Sequence, residues 1–279
     1  MMEPYMFGKK VSQGASAVVT GAGSGIGRAF ALELARRGGR VVCADIKQET
    51  AQATANLIAA QGGQALALAC DVSDLAQVEM LAEKSEQWLQ GAVDLVVNNA
   101  GVGIGGKPVG EFPIEDWRWA VGVNMWGVIH GCHVFAPKLR AQGRGGIVNV
   151  CSAASFAAAP LMGPYNVTKA AVLALSETLK AELAGVGVHV TALCPTWVKT
   201  NIVQDGRIPG GTSKMAQRMM EWVGHSPESV ANTTLNALDR NRLYVLPQLD
   251  ARLVWRLKRY APVSYNRGAG LLARFMAPN

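Results

Sequence analysis

At 279 residues, 49% of them apolar, the chain is long enough to bury one large core. Few aromatics, 31 glycines and alternating strand and helix patterns point to a compact α/β protein. No run of eighteen or more apolar residues and no charged, apolar leader is present, so neither a spanning helix nor secretion is expected. The formal charge of +7 is confined to the tail: residues 240–279 hold eight basic side chains against Asp250, and the rest of the chain is balanced.

Residues 1–14 read as a loosely held lead-in. Residues 15–20 form a short apolar strand pattern. Gly21-Ala22-Gly23-Ser24-Gly25-Ile26-Gly27 follows and opens a helical run over 28–37. Strand, glycine turn and helix start make a cradle for a pyrophosphate, because glycine lets the backbone come close and a helix N-terminus attracts anions. A second strand, 40–44, ends in Asp45, about 20 residues beyond the turn. An acid there suits a ribose with free hydroxyls and repels a 2′-phosphate, which favours NAD over NADP. Lys47 is the nearest competing positive charge.

A helix is expected over 48–61, closed by Gly62-Gly63, and a strand over 65–69 leading to Cys70-Asp71-Val72. Asp71 either caps the helix from Ser73 or accepts from an adenine amino group. Residues 95–97 form another strand, with Asn98-Asn99-Ala100-Gly101 at its carboxyl end, where ligands gather in open parallel sheets. Residues 113–140 read as one helix carrying Asn124 among apolar neighbours, a costly placement unless the amide is hydrogen-bonded. His130 and His133 are ordinary helix residues, with no partner that signals a metal. Cys43, Cys70, Cys132, Cys151 and Cys194 show no close pairing and are expected as buried thiols in a reducing cytoplasm. The Asn-x-Thr triplets at Asn166 and Asn232 carry no meaning without secretion.

Residues 146–150 form a strand from which Ser152 emerges. Thirteen residues on, Gly163-Pro164-Tyr165-Asn166-Val167-Thr168-Lys169 heads a helix through Leu183, with Pro164 at a position where its missing N–H is harmless. Tyr165 and Lys169, four apart, share a helix face. An ammonium one turn away and the positive helix end both favour the phenolate, so the phenol is expected to be acidified for proton exchange with an alcohol or carbonyl oxygen. The spacing alone decides nothing, since Tyr5 and Lys9 repeat it outside any helix. A strand over 189–193 then leads to Pro195-Thr196-Trp197-Val198-Lys199-Thr200.

Taken together, Thr20-Gly21-x-x-x-Gly25-x-Gly27, Asp71, Asn98-Asn99-Ala100-Gly101, Asn124, Ser152, Tyr165 and Lys169 resemble, in order and spacing, the short-chain dehydrogenase/reductase family over residues 15 to about 200. The resemblance implies a single Rossmann-like, doubly wound α/β domain over 15–247, with about seven parallel strands in the order 3-2-1-4-5-6-7. It implies that Asn124, Ser152, Tyr165 and Lys169 form a catalytic tetrad. It implies cofactor contacts from Gly21, Ser24, Gly25, Ile26 and Gly27, from Asp45, Asp71 and Val72, and from Asn98, Ala100 and Gly101. Tyr165 and Lys169, with Pro195, Val198 and Thr200, would meet the nicotinamide end. Where the family has Pro-Gly this chain has Pro195-Thr196, a departure expected to reshape that end without removing anything hydride transfer needs. Family members are commonly dimers or tetramers, built through the helices beginning near Pro113 and Tyr165.

The implied activity is an NAD-preferring interconversion of a bulky hydrophobic or aromatic secondary alcohol and its ketone, with no metal. The alternatives are an NADPH-dependent carbonyl reductase and, in a different class, a dinucleotide-binding sensor without turnover. The substrate loop is expected over 201–224, with Gly210-Gly211 as a hinge. Its wall would be Ile202, Met215, Met219, Met220 and Trp222, flanked by Trp197, Phe156, Leu161 and Met162. A helix over 226–240 and a short strand over 244–246 follow. Residues 248–279 form a basic amphipathic extension, with Leu249, Leu253, Leu257 and Tyr260 at helical spacing against Arg252, Arg256 and Arg259. It is expected to pack on a partner subunit or over the substrate loop, and next to that to lie on an anionic membrane surface at the inner face. Nucleic acid is disfavoured, for want of stacking aromatics and a basic groove.

Overall fold

Four apolar runs, each read from the sequence as a strand, lie side by side as the middle of one parallel sheet. In the computed structural model, which describes residues 10–276 (side chains of 210–212, 215, 216 and 272–276 excepted), these are β1 (Ser16–Thr20), β4 (Leu95–Asn98), β5 (Gly145–Val150) and β6 (Val188–Leu193). β2 (Arg40–Asp45) and β3 (Gln64–Ala69) extend the sheet on one side, and β7 (Tyr244–Val245) closes the other. The order is β3-β2-β1-β4-β5-β6-β7, all pairs parallel, as the resemblance implied. Tyr5, Lys9 and most of the lead-in lie outside the described residues.

Register explains why these strands are apolar throughout. Val18, Val42 and Val96 pair across the sheet and pack with α3 (Leu75–Leu89) and Phe135. Val19, Cys43, Val97 and Val148 pair one step on and meet α1 (Gly25–Arg36), α2 (Gln48–Ala60) and α9 (Pro227–Asp239) on the opposite face. A parallel strand covered on both faces leaves no polar alternation to preserve. Each buried Val, Leu or Ile side chain contributes about 1.5–3 kcal/mol. β5 and β6 pack likewise on α5 (Gly127–Gln142) and α7 (Gly163–Glu182).

The single helix expected over 113–140 is in fact two. α4 (Ile114–Val121) passes into a π-helical turn, Gly122–Trp126, before α5. The apolar pattern runs straight through this turn, so no periodicity betrays it; Asn124 lies within it and turns its side chain inward. The strand order reverses between β1 and β4, and a crevice opens there beyond their carboxyl ends. The short α6 (Ala154–Ala157) follows β5, α8 (Gly210–Val223) occupies the substrate-loop region, and α10 (Leu249–Tyr260) and α11 (Pro262–Met276) form the tail. Gly210 and Gly211, expected as a hinge, instead begin α8. No described helix is long and apolar enough to cross a membrane.

Candidate active site

The glycine turn is shaped for close approach. Gly21 takes φ +63°, and a side chain there would strike the Ala100 backbone at 2.9 Å. At Gly27 it would strike the Gly21 carbonyl at 2.1 Å, so α1 can sit this near β1 only without a Cβ. Gly25, at φ +51°, is covered by the Thr200 methyl, 2.9 Å from where a side chain would begin. Ser24 stands at the N-cap of α1 without a side-chain capping bond, and Ile26 and Gly27 lie in the first turn, whose N–H groups are left to face an anion. The turn is braced from β4: Asn99 Nδ2 donates to the carbonyls of Thr20 and Gly21 at 2.8 and 3.2 Å. The Thr20 hydroxyl accepts from the backbone N–H groups of Asn99 and Ala100 at 3.0 and 3.1 Å. The bracing by Thr20 and Asn99 was missed in the sequence, where each passed as one letter of a motif.

Asp45, at the end of β2, accepts from the Gly23 N–H at 2.9 Å and from the Lys47 N–H at 3.1 Å, which fixes the carboxylate beside the turn. The Asp71 carboxylate accepts from the backbone and hydroxyl of Ser73, at 2.9 and 2.7 Å. Capping of α3 falls to Asp74, which accepts from Ala76 N–H, and not to Asp71. Val72 is buried, with its carbonyl 2.9 Å from His130 Nδ1.

The side chain of Asn98 points into the core and donates to Asn149 Oδ1 at 2.9 Å; Asn149 donates to Ser176 Oγ at 3.0 Å. Any contact of Asn98 with a cofactor therefore falls to its backbone. Its own Oδ1 has no hydrogen-bond partner, and Gly131 lies against it so closely that a side chain would begin 2.0 Å from that oxygen.

Asn124 is fully buried. It accepts from Val102 N–H at 2.7 Å and donates to Val102 carbonyl at 2.9 Å, so the π-helical turn and the loop after β4 are joined as two strands would be. Gly101 lies between the groups: a side chain there would meet Asn124 Oδ1 at 3.1 Å and Lys169 Nζ at 3.4 Å. Lys169 is 3% exposed, its ammonium donating to Val150 carbonyl at 2.8 Å and lying 5.8 Å from the centre of the Tyr165 ring. The Ser152 hydroxyl lies beside the Tyr165 phenol and reaches Pro195 carbonyl at 3.5 Å. Pro164 occupies the first turn of α7, as expected. Val198 is buried and bridges to His225. The four tetrad candidates, far apart in sequence, are thus gathered beyond the carboxyl ends of β4, β5 and β6.

The expected acidification of Tyr165 by Lys169 is corrected here. Burial pushes the Tyr165 phenol above its ordinary value, and the Ser152 hydrogen bond opposes that only in part. Burial also lowers Lys169, against the pull of the nearby Cys151 and Cys194 thiols. Lys169 Nζ donates to Val150 carbonyl, and burial is the larger effect on the phenol.

Tyr165 packs against the buried cluster of Ile104, Phe112 and Ala120, as do Trp117 and Trp119, none of which was expected from the sequence. Arg207 holds the substrate loop against that cluster: its guanidinium lies 4.2 Å from the centre of the Trp119 ring and pairs with Asp116 at 2.6 Å. Met220 is buried, Trp222 is 91% exposed and forms no wall, and the side chain of Met215 lies outside those described.

A model of the short-chain dehydrogenase family matches residues 15–208. The chain is 36% identical to "Probable oxidoreductase EphD" of Mycobacterium tuberculosis over 263 residues, which are 91% of this chain and 44% of that protein; it thus spans less than half of that relative. It is 36% identical to 1-deoxy-11-beta-hydroxypentalenate dehydrogenase of Streptomyces exfoliatus, covering 89% of this chain and 91% of that one. A short-chain dehydrogenase/reductase from Burkholderia phymatum, solved in complex with NAD, superposes with a TM-score of 0.84 at 35% identity, covering 89% of this chain and 94% of that chain. The chain belongs to the short-chain dehydrogenase/reductase family.

Proposed function

We propose that the protein is an NAD-preferring dehydrogenase that interconverts a bulky hydrophobic or aromatic secondary alcohol and its ketone. The observation that carries this is the Tyr165 phenol, placed beside Ser152 and packed on the Ile104, Phe112 and Ala120 cluster that Trp117 and Trp119 also border. The glycine turn, the uncapped first turn of α1 and the Asp45 carboxylate fit a dinucleotide with a free ribose. The pentalenate relative acts, by its name, on a hydroxylated acid, consistent with an alcohol substrate here.

When bound, the nicotinamide supplies the hydride acceptor or donor. The chain's own residues do the rest. Tyr165 holds the proton that the substrate oxygen gives or takes, and Ser152 hydrogen-bonds the same oxygen. Lys169, one turn further along α7, would hold the nicotinamide ribose, and Asn124 would bind a water that carries protons to solvent. The apolar wall excludes water and orients the carbon that reacts.

We read 15–247 as the catalytic domain and 248–279 as an extension to it. Leu249, Leu253, Leu257 and Tyr260 are exposed on α10, and we assign that row to a second copy of the chain in a homodimer or homotetramer, with the anionic membrane surface as the competing occupant. Vesicle flotation beside solution mass measurement separates these. The function itself is tested with NAD and a panel of secondary alcohols, native protein against Tyr165→Phe. Equal rates in the two would remove Tyr165 from the reaction.

A further inference from the structure

Thr196 stands where the family has glycine, and its surroundings show what the exchange achieves. A peptide unit is planar and stiff, so fixing one edge fixes the other. The Pro195–Thr196 peptide is held at both edges. On the carbonyl edge, Pro195 oxygen accepts from Ala153 N–H at 2.8 Å and from the Ser152 hydroxyl at 3.5 Å, the long limit of a hydrogen bond. On the amide edge, Thr196 N–H donates to Gln248 Oε1 at 3.2 Å. Gln248 is only 5% exposed, and its Nε2 donates to Trp197 carbonyl at 3.1 Å. The two ends of this amide are thereby assigned, oxygen to the N–H and nitrogen to the carbonyl. The Thr196 hydroxyl donates to Asp250 Oδ1 at 3.1 Å, a bond that glycine could not make.

We propose that Gln248, with Thr196 and Asp250, is a positioning residue for Ser152, acting through the Pro195–Thr196 peptide. This rests on the dehydrogenase reading given above. Gln248 and Asp250 flank the start of α10, so the extension completes the site it follows. Hydrogen bonds in such a chain polarise one another, so a donor drawn onto Gln248 strengthens the Pro195 carbonyl as an acceptor for the residues that carry Ser152. A β-branched residue at 196 also narrows the backbone that glycine would leave free to rotate.

The test uses the full chain, NAD and α-methylbenzyl alcohol, comparing native protein with Gln248→Ala, Gln248→Glu and Thr196→Gly. Two readouts are taken: kcat and KM, and hydrogen exchange of the Thr196 amide in protein without cofactor. Loss of one such bond predicts Thr196 exchange roughly tenfold faster in Gln248→Ala, and kcat roughly tenfold lower with KM for NAD within about twofold. Gln248→Glu keeps the acceptor for Thr196 N–H but loses the donor to Trp197 carbonyl, and is expected to recover part of the lost kcat. Thr196→Gly, which keeps Gln248, is expected to fall between native and Gln248→Ala. A kcat within about twofold of native in Gln248→Ala, or a loss confined to KM for NAD, overturns the proposal. Equal kcat in the Glu and Ala variants also overturns it. If the native protein oxidises no alcohol, the dehydrogenase reading is what falls, and Thr196 exchange still decides the latch: no change in Gln248→Ala refutes it.

Discussion

Lys169 Nζ donates to the Val150 carbonyl at 2.8 Å while the Tyr165 ring centre lies 5.8 Å away, so the cation is a neighbour of the phenol and the bonding partner of a strand end. Burial then dominates and holds Tyr165 above the ordinary tyrosine range. A positive nicotinamide placed near the phenol favours its ionised form. Ultraviolet titration of native protein minus Tyr165→Phe is therefore expected to show a phenolate appearing at lower pH with NAD than without. In turnover, Tyr165→Phe is expected to cost roughly 10²–10⁴ in kcat.

Cofactor choice is proposed to rest on Asp45. Its carboxylate is anchored by the Gly23 and Lys47 N–H groups and cannot swing aside for a 2′-phosphate. Replacing Asp45 by Ala is expected to raise KM for NAD roughly ten- to a hundredfold, the loss of a charged hydrogen bond, and to improve NADP binding. Unimproved NADP binding in a fluorescence titration would remove Asp45 as the selector.

Arg37 ties α1 to α9. Its guanidinium donates to Ser12 Oγ at 2.6 Å, Asn232 Oδ1 at 2.7 Å, Asn236 Oδ1 at 2.9 Å and Glu33 at 2.8 Å, with Asp239 at 3.4 Å. Its side chain is 4% exposed. Arg37→Leu leaves the Asp239 carboxylate, its side chain 6% exposed, without its cation and is expected to cost about 3–5 kcal/mol, read by chemical denaturation.

The same cluster gives an acid-side signature. Glu33 is held below the ordinary glutamate range, first by its hydrogen bond with Arg36 and, against burial, by Arg37. A lowered folded-state value means the stabilisation is complete above the ordinary glutamate range and is lost as pH falls through the lowered value. Glu33→Gln is expected to flatten that acid-side fall in Tm. The Arg36 arm is exposed and screened, so Arg37 accounts for most of the effect.

All five cysteines are free and buried. Burial pushes Cys43 and Cys132 up to about 12 and Cys70 up to about 11. The Cys194 thiol lies well above its ordinary value, first through its hydrogen bond with Cys151 and then through burial. At pH 8 an aromatic disulfide reagent is expected to label none in the native protein and five after unfolding. Rapid labelling of the folded chain would contradict the burial of these groups.

The sheet was legible because its strands are covered on both faces: runs such as Leu95-Val96-Val97 have one cheap fate, and their order followed from family resemblance. The glycine turn and the residues Asn124, Ser152, Tyr165 and Lys169 were legible as types at spacings. Their bonding was not. The strand end at Val150 was legible, but whether its carbonyl or the phenol takes the ammonium depends on how α7 packs on β5, which no spacing shows. The π-helical turn is invisible to a pattern that stays apolar across it. Trp117 and Trp119 looked like ordinary helix residues until Phe112 and Ile104 came round to meet them. Gln248 carried no signal, since an amide's worth depends wholly on what stands at its two ends.

Asn98 and Gly131 carry a historical implication. An orphan amide oxygen occupies the space that any side chain at 131 would need. Neither position can drift by itself: alanine at 131 becomes tolerable only in a lineage that has already shed the asparagine. Shedding it first strips Asn149 of its donor and opens a hole beneath α5. The two residues are therefore locked by epistasis, and exchanging them as a pair should be gentler on the fold than either step alone.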